Sequence, residues 1–213
     1  MRGTHDPDRR RLILEAAERL LHHYGAQKTT IAEIAREASI GVGTVYLEFS
    51  SKEAIVETLS SGRHAHVLAA MAAAASRGRG GFAERFAAIM DARAEAYLAL
   101  ADEGAHAREL LFCVSAPVKQ AYARFQDEER ALLASHIARA MESGEVAEGH
   151  ADRLAASVLR AYVSFSPPSV FAEKRDDARA ALRAMHELVL RGLLARPAHA
   201  TSSPGAVRAR RPR

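Results

Sequence analysis

The stretch TIAEIAREASIGVGTVYLEF, residues 30–49, decides the fold predicted for the N-terminal region of this chain. Thr30 and Glu33 form a capping box, because the hydroxyl and the carboxylate can each accept a hydrogen bond from a free amide at a helix start. The helical pattern breaks at 39–41, and a second short helix follows. Ala35 is small enough to let two helices cross closely around a turn of about three residues. The stretch is therefore interpreted as a helix-turn-helix.

The second helix of this motif presents two faces. Val45 and Phe49 are four residues apart and are expected to point inward. The other side chains near the helix start point outward, where a recognition helix reads base edges in the major groove. These outward positions are Val42, Gly43, Thr44, Tyr46 and Leu47.

Helix signals flank the motif on both sides. Asp6 can cap a first helix, and Gly25 follows the end of its apolar stripe. Three arginines at 9–11 crowd the first turn of that helix, where the dipole disfavours cations. They are either a solvated charge run or contacts to DNA phosphates. Ser50 with Glu53 predicts another capping box, which starts a long fourth helix.

The motif resembles the N-terminal domain of the TetR family of bacterial regulators. The matching segments are TTIAEIAREA at 29–38, IGVGTVY at 40–46 and FSSKEA at 49–54, within roughly residues 10–60. The resemblance implies that phosphates are contacted by Thr30, Thr44, Tyr46 and Lys52. It also implies that the residues nearest the bases are Val42, Gly43 and Leu47. The chemistry agrees, because hydroxyls and an ammonium suit phosphate oxygens and an aliphatic side chain can pack on a thymine methyl group.

Two positions depart from the family's pattern. Gly41 replaces the serine or threonine that often caps the recognition helix, so one capping bond is lost. Glu48 stands where the family commonly has an aromatic residue or a histidine that helps to contact the DNA backbone. The Glu48 carboxylate can turn to solvent, pair with Lys52 or accept a hydrogen bond from a cytosine amino group. Because it would repel a phosphate, we expect it to be exposed to solvent.

The rest of the chain has helical periodicity and no alternating β pattern of useful length. Further helices are predicted at 82–101, 105–113, 118–142, 152–165 and 176–194. The fold class is therefore all-α, with about nine helices. The family resemblance implies a three-helix DNA-binding domain followed by a larger helical domain for ligand binding and dimerisation.

The predicted domain boundaries follow from these helices. The DNA-binding domain is expected at 6–53, and the fourth helix, at about 51–76, connects it to the larger domain at 54–195. Pro, Ser, Ala, Gly and Arg dominate 196–213, which predicts a disordered basic tail. That tail either adds weak non-specific affinity for DNA or is simply solvated.

The net charge of +4 adds little to the argument for DNA binding. Five of the 30 basic residues lie in the tail, which has no acid, so the first 195 residues carry 25 basic against 26 acidic side chains. Bulk charge therefore says little about the folded body, and the interpretation of DNA binding rests on the motif.

Several classes of protein are not indicated. Cys113 is the only cysteine, which excludes an intrachain disulfide and a thiolate-rich metal site. No acid–base or nucleophile set is evident, so we predict no enzyme, no metal and no cofactor. The N-terminus lacks the apolar core of a signal peptide, and no stretch approaches the ~20 apolar residues of a membrane span. We expect a soluble, cytoplasmic protein with no membrane partner.

The larger domain offers candidates for a ligand pocket. An arginine on the apolar face of helix 82–101 could neutralise an acidic ligand, or could lie at the margin with its charged end in solvent. The candidate pocket residues are Phe86, Met90, Arg93, Tyr97, Cys113, Tyr122 and Tyr162.

The last two predicted helices offer candidates for a dimer interface. Their apolar stripes would suit any core helix, so periodicity alone does not identify an interface. The family resemblance implies that they form a four-helix bundle across a two-fold axis, which suits a palindromic operator. The candidate interface residues are Val158, Leu159, Tyr162, Leu182, Met185 and Val189.

These inferences favour a homodimeric repressor that binds a palindromic operator in double-stranded DNA and is released by an unidentified small molecule. Two alternatives stay open. The chain could be an activator, or a regulator that responds to a protein instead of a small ligand. It could also be an all-helical enzyme or binding protein in which the motif is incidental.

Overall fold

The computed structural model describes residues 6–77, 80–103, 108–111 and 115–194. In that part of the chain the fold is all-α, as predicted, and apart from one isolated bridge it contains no strand. The eight α-helices there are α1 (Pro7–Lys28), α2 (Ile31–Glu37), α3 (Val42–Glu48), α4 (Lys52–Arg77), α5 (Phe82–Ala101), α6 (Ala116–Glu142), α7 (Ala151–Ala161) and α8 (Arg175–Leu193).

Helix α1 begins and bends where its sequence requires. The carboxylate of Asp6 accepts hydrogen bonds from the amides of Asp8 and Arg9, at 3.1 and 3.4 Å, and so caps the helix as predicted. Gly25 has a φ of 76°, a left-handed conformation that glycine adopts at little steric cost. The helix therefore kinks at the predicted break and adds one further turn, which ends at Lys28.

Helices α2 and α3 form the predicted helix-turn-helix. The Thr30 amide donates to the Glu33 carboxylate at 2.8 Å and the Glu33 amide donates to the Thr30 hydroxyl at 3.3 Å, which confirms the capping box. In the turn, Ser39 has a φ of 56°, in the left-handed region. The Ile40 amide donates to the Ala35 carbonyl at 2.9 Å and closes α2.

The cap of α4 lies one residue later than predicted. The hydroxyl of Ser51, not that of Ser50, accepts a hydrogen bond from the Ala54 amide at 3.2 Å, because α4 begins at Lys52. The helix has 26 residues and is therefore about 39 Å long. It runs from the N-terminal domain through the larger domain.

Two hydrophobic cores lie along α4. The smaller core joins α1, α2, α3 and the first turns of α4, and it also contains Leu110 and Val118. These two side chains come from the segment around the start of α6, so the larger domain contributes to the core of the DNA-binding domain. The larger core packs α4 to α8 around aromatic side chains such as Phe86 and Tyr162.

The remaining helices lie close to their predicted positions. Helix α5 matches the prediction, and α6 begins two residues early. Helix α7 ends at Ala161 instead of 165, since the chain continues as two 3-10 helices around a Pro-Pro pair, Val163–Phe165 and Ser169–Phe171. The predicted helix at 105–113 and the tail at 196–213 lie largely or wholly outside the described residues.

Candidate DNA-binding site

Helix α3 exposes the face that the sequence predicts to meet DNA. Val42, Tyr46 and Leu47 are 42%, 54% and 64% exposed, although large apolar side chains are usually buried. Gly43 is also exposed, and Thr44 is half-buried beside it. We call these five residues the recognition face. The inward residues of the same helix region, Val45 and Phe49, are buried as predicted.

Thr30 lies at the exposed start of α2, with its hydroxyl already engaged. The hydroxyl donates to the Glu33 carboxylate at 2.8 Å, and the hydrogen bonds from Thr30 lower the pKa of Glu33. The Glu33 carboxylate therefore stays ionised. To donate to a phosphate oxygen, the Thr30 hydroxyl would have to turn its proton away from Glu33. Its backbone and side chain nevertheless lie at a helix start, where phosphates bind readily.

Lys52 has a structural task that the sequence does not reveal. Its ammonium donates to the carbonyls of Ala26 and Thr29, at 2.8 and 3.0 Å, and so ties the start of α4 to the link between α1 and α2. An ammonium has three N–H donors, so one is left for a phosphate oxygen. The predicted phosphate contact by Lys52 stays a prediction.

The expectation that Glu48 is exposed to solvent is wrong. Glu48 is 4% exposed, and its carboxylate accepts from the Asp6 amide at 3.2 Å and from the Arg9 guanidinium at 3.3 Å. The start of α1 provides this site, because a helix N-terminus offers free amides and a favourable dipole for an anion. Glu48 therefore fixes the end of the recognition helix to the start of α1.

The three arginines at 9–11 all form contacts within the protein, and phosphate contact by them stays a prediction. Besides Glu48, Arg9 pairs with Asp6 at 3.3 Å. Arg10 donates to the Glu48 carbonyl at 2.9 Å and lies 3.9 Å from the centre of the Phe49 ring. Arg11 forms surface ion pairs along α1. Two of the three thus hold α1 against α3.

The sequence between 13 and 59 matches the model of the bacterial regulatory proteins, tetR family. This segment contains both helices of the helix-turn-helix and the buried contacts of α1 behind it. This N-terminal segment is a TetR-family DNA-binding domain. Two curated relatives match over a similar length: TtgR, a helix-turn-helix transcriptional regulator of Pseudomonas putida, and YhgD, an uncharacterised one of Bacillus subtilis. Each is 38% identical over 52 residues, which is 24% of this chain.

The matched segment spans about a quarter of the length of these relatives, namely 25% of TtgR and 27% of YhgD. The similarity of fold extends much further. A TetR/AcrR-family regulator of Thermobifida fusca has a TM-score of 0.64 at 21% identity, covering 87% of this chain and 98% of its own. FadR of Bacillus subtilis, solved with stearoyl-CoA, has a TM-score of 0.64 at 19% identity, covering 85% and 98%. The larger domain thus shares the fold of these two regulators.

Most of the predicted pocket residues do not line an open cavity. Phe86, Met90, Tyr97 and Tyr162 are at most 1% exposed and pack into the larger core. Cys113 lies outside the described residues. The other two, Arg93 and Tyr122, line a cleft of about 420 Å³ between α6 and α7.

Arg93 is not at a solvent margin, because only 2% of it is exposed. Its guanidinium forms an ion pair with Glu129 of α6, donates to the Ser166 hydroxyl at 2.9 Å and lies over the Tyr97 ring. Desolvation lowers the pKa of Arg93, but the adjacent Glu129 carboxylate more than offsets this, so the pKa is raised. The arginine is therefore held charged inside the domain.

The predicted dimer residues fall into two groups. Val158, Tyr162 and Leu182 are buried inside the protomer, and the Tyr162 hydroxyl is 2.7 Å from Nδ1 of His186. They can contribute to an interface only indirectly, by packing beneath the residues that would contact the partner. Three others are half-buried, namely Leu159, Met185 and Val189. The sequence reasoning missed two apolar residues of the same region that are exposed, Val163 at 63% and Leu188 at 68%.

Sequence reasoning also missed Arg63, which links the two domains. Arg63 of α4 is 8% exposed and donates to Glu18 of α1 at 3.0 Å and to Glu103, just after α5, at 2.6 Å. The sequence offered one indication, namely that Arg63 lies on the face of α4 whose other residues point inward. The three-way contact itself depends on residues far apart in sequence.

Two further properties concern the described residues as a set. No group of three or more His, Cys, Asp and Glu side chains among them is arranged to hold a metal ion. None of their helices is long and apolar enough to cross a membrane.

Proposed function

We propose that this chain is a transcription regulator that represses by binding a palindromic operator as a homodimer and is released from it by a small molecule. The recognition face carries the proposal. It is an exposed surface of two hydroxyl side chains, two aliphatic side chains and a glycine, at the start of a helix whose opposite side is anchored in the core. Such a surface suits base edges and flanking phosphates, and DNA as partner implies a cytoplasmic location.

The anchoring of α3 supports this function. The contacts of Arg9 and Arg10 fix the far end of the recognition helix, so its start is presented to DNA without much conformational freedom. Preorganised contacts bind more tightly, since less entropy is lost on association.

Fluorescence anisotropy on the DNA upstream of the chain's own gene tests the proposal. We expect nanomolar, salt-sensitive binding to a palindrome, weakened about tenfold or more by Tyr46→Ala across all operator sequences. Tyr24→Ala is the matched control, because Tyr24 is a comparably exposed tyrosine, at 59%, outside the recognition face. Micromolar association that ignores sequence would refute the proposal.

The dimer is tested separately by the molar mass in solution. We expect a homodimer in which Leu188 of α8 contacts the second protomer, so that Leu188→Glu gives a monomer. Leu12→Glu, at an exposed leucine of α1, should leave the mass unchanged. A monomeric wild-type protein at micromolar concentration, or a dimer untouched by Leu188→Glu, would contradict this interface.

A further inference from the structure

Three buried polar side chains in the larger domain have no hydrogen-bond partner at any side-chain polar atom among the described residues. They are both ring nitrogens of His64, the hydroxyl of Tyr97 and the hydroxyl of Ser60. His64 is 2% exposed, and the other two are fully buried. Leaving such groups unsatisfied is costly, so native proteins seldom do it without a bound molecule or water to complete the bonds.

Two of these groups lie against one ring. The ring of His64 is stacked on Phe125 at 5.0 Å, and the ring of Tyr97 contacts Phe125 edge-on at 6.3 Å. Ser60 lies one helical turn before His64 on the same side of α4. Unsatisfied polar side chains of α4 and α5, His64 and Tyr97, thus contact one aromatic side chain of α6.

Tyr122 separates this polar cluster from the cleft between α6 and α7. Its ring lies 5.5 Å from His64 and is stacked on Phe125 at 6.2 Å, yet the side chain is only half-buried and lines the cleft. A rotation of Tyr122 about its side-chain bonds would open the cluster to the cleft, whose volume of about 420 Å³ suits a small organic ligand.

The inner end of the cleft carries no net charge. Arg93 and Glu129 at the inner end of the cleft neutralise each other. Burial lowers the pKa of His64 to about 4, so its imidazole is neutral at pH 7 and offers one donor and one acceptor. Burial also raises the pKa of Tyr97, whose hydroxyl stays protonated. A neutral ligand with hydroxyl or carbonyl oxygens fits these groups better than an ion does.

We propose that a neutral, hydroxylated aromatic molecule binds here, stacked on Phe125 in place of the Tyr122 ring and hydrogen-bonded to His64 and Tyr97. The phenol of Tyr122 shows the shape that this site accepts, a flat ring that contacts both His64 and Phe125. This inference rests on the proposed release by a small molecule and names the class of that molecule. A long acyl chain would leave the polar groups of His64 and Tyr97 unsatisfied.

Calorimetry on the full-length, DNA-free protein tests the site with three probes: methyl 4-hydroxybenzoate, methyl benzoate, which lacks the hydroxyl, and dodecanoate. We expect the phenol to bind at least tenfold more tightly than methyl benzoate, as a hydrogen bond from a buried site provides. Equal affinities for the two esters, tighter binding of dodecanoate, or no binding of the phenol at 1 mM would each overturn the proposal.

Variants locate the site. His64→Phe keeps a ring but removes both nitrogens, and Tyr97→Phe removes one hydroxyl; each should reduce the preference for the phenol about tenfold. His136→Phe is the matched control, because His136 is also buried, stacked on Phe82 at 5.2 Å, and has an unpartnered Nε2 among the described residues. A loss in the control equal to that in His64→Phe would refute the site.

The same samples separate this inference from the proposed function. Operator binding is measured by anisotropy without any probe. A protein that binds its operator but not the phenol is a regulator with another ligand class. A protein that binds the phenol through His64 but not DNA keeps the site and loses the proposed function.

Discussion

Two buried carboxylates show how differently the two domains hold charge. Glu48 at the end of α3 is 4% exposed, but it is bonded to the backbone of Asp6 and to Arg9, whose side chain is 36% exposed. Glu129 of α6 is 2% exposed, and its partner Arg93 is equally buried. The Glu48 carboxylate joins α1 and α3 at the edge of the DNA-binding domain, whereas the pair of Glu129 and Arg93 lies inside the larger core. Electrostatic interactions and desolvation costs are both larger in such an interior.

The largest effect is expected from breaking the interior pair. Arg93→Met leaves the Glu129 carboxylate buried without its cation, which should lower the free energy of unfolding by about 3–5 kcal/mol. Urea denaturation followed by circular dichroism measures this. Arg130→Met is the control, since Arg130 is exposed and its surface ion pairs contribute less than about 1 kcal/mol.

A second variant distinguishes the lost charge balance from lost packing. Replacing both partners, Arg93→Met with Glu129→Leu, should recover most of the stability, because no buried charge remains. If the double variant is as unstable as Arg93→Met alone, packing and not charge explains the loss.

The stability of the protein should depend on pH, because the larger core keeps the His64 imidazole neutral. The folded pKa of His64 is about 4, below the ordinary value of 6.5, because burial disfavours the charged imidazole. Between these values the unfolded chain binds the extra proton, so stability should fall as pH drops from 6.5 to 4, by roughly 3 kcal/mol in all. Thermal unfolding at several pH values measures the slope.

The slope should be much smaller in His64→Phe. A residual slope is expected from His136, whose pKa is also lowered by burial. His66→Phe, at an exposed position of the same helix, should behave as the wild type. An unchanged slope in His64→Phe would show that His64 gains its proton in the folded protein.

At the domain edge a smaller effect is expected. Glu48→Gln keeps the side-chain shape but removes the charge that holds Arg9, and should destabilise the protein by about 1–2 kcal/mol. It should also weaken operator binding severalfold, because α3 is less firmly held. Glu37→Gln is the control, as Glu37 pairs with Arg19 on the surface. Equal effects of the two variants would mean that Glu48 is no more than a surface charge.

The contrast between the domains also explains which features could be predicted from the sequence. The helix-turn-helix depends on signals a few residues apart, such as the Thr30 cap, the break at Gly41 and the four-residue spacing of Val45 and Phe49. Local signals of this kind depend less on the tertiary context, and the structure confirms these three. The position of Glu48 depends on contact with residues about 40 positions away, so a local pattern could not show it.

In the larger domain the same limit applies more strongly. Helical periodicity correctly identified Phe86, Tyr97 and Tyr162 as inward-facing, but inward-facing residues can line a cavity, fill a core or support an interface. Only the three-dimensional packing separates these outcomes. It also reveals that Arg93, ambiguous on a helical stripe, meets Glu129 on a different helix.

The smallest predicted effect concerns the turn itself. Ser39 adopts a φ of 56°, which costs a residue with a Cβ about 1–2 kcal/mol relative to glycine. Ser39→Gly should therefore raise the free energy of unfolding by about 0.5–1 kcal/mol, the remainder being lost to the greater freedom of glycine in the unfolded chain. Ala38→Gly, one residue earlier in ordinary right-handed backbone, should instead destabilise the protein.

Thermal unfolding of both variants distinguishes these expectations. If both melting temperatures shift in the same direction, strain at Ser39 is not what limits the stability of this turn. Opposite shifts, with operator affinity unchanged, would show that the strain at Ser39 lowers stability and contributes nothing to DNA binding.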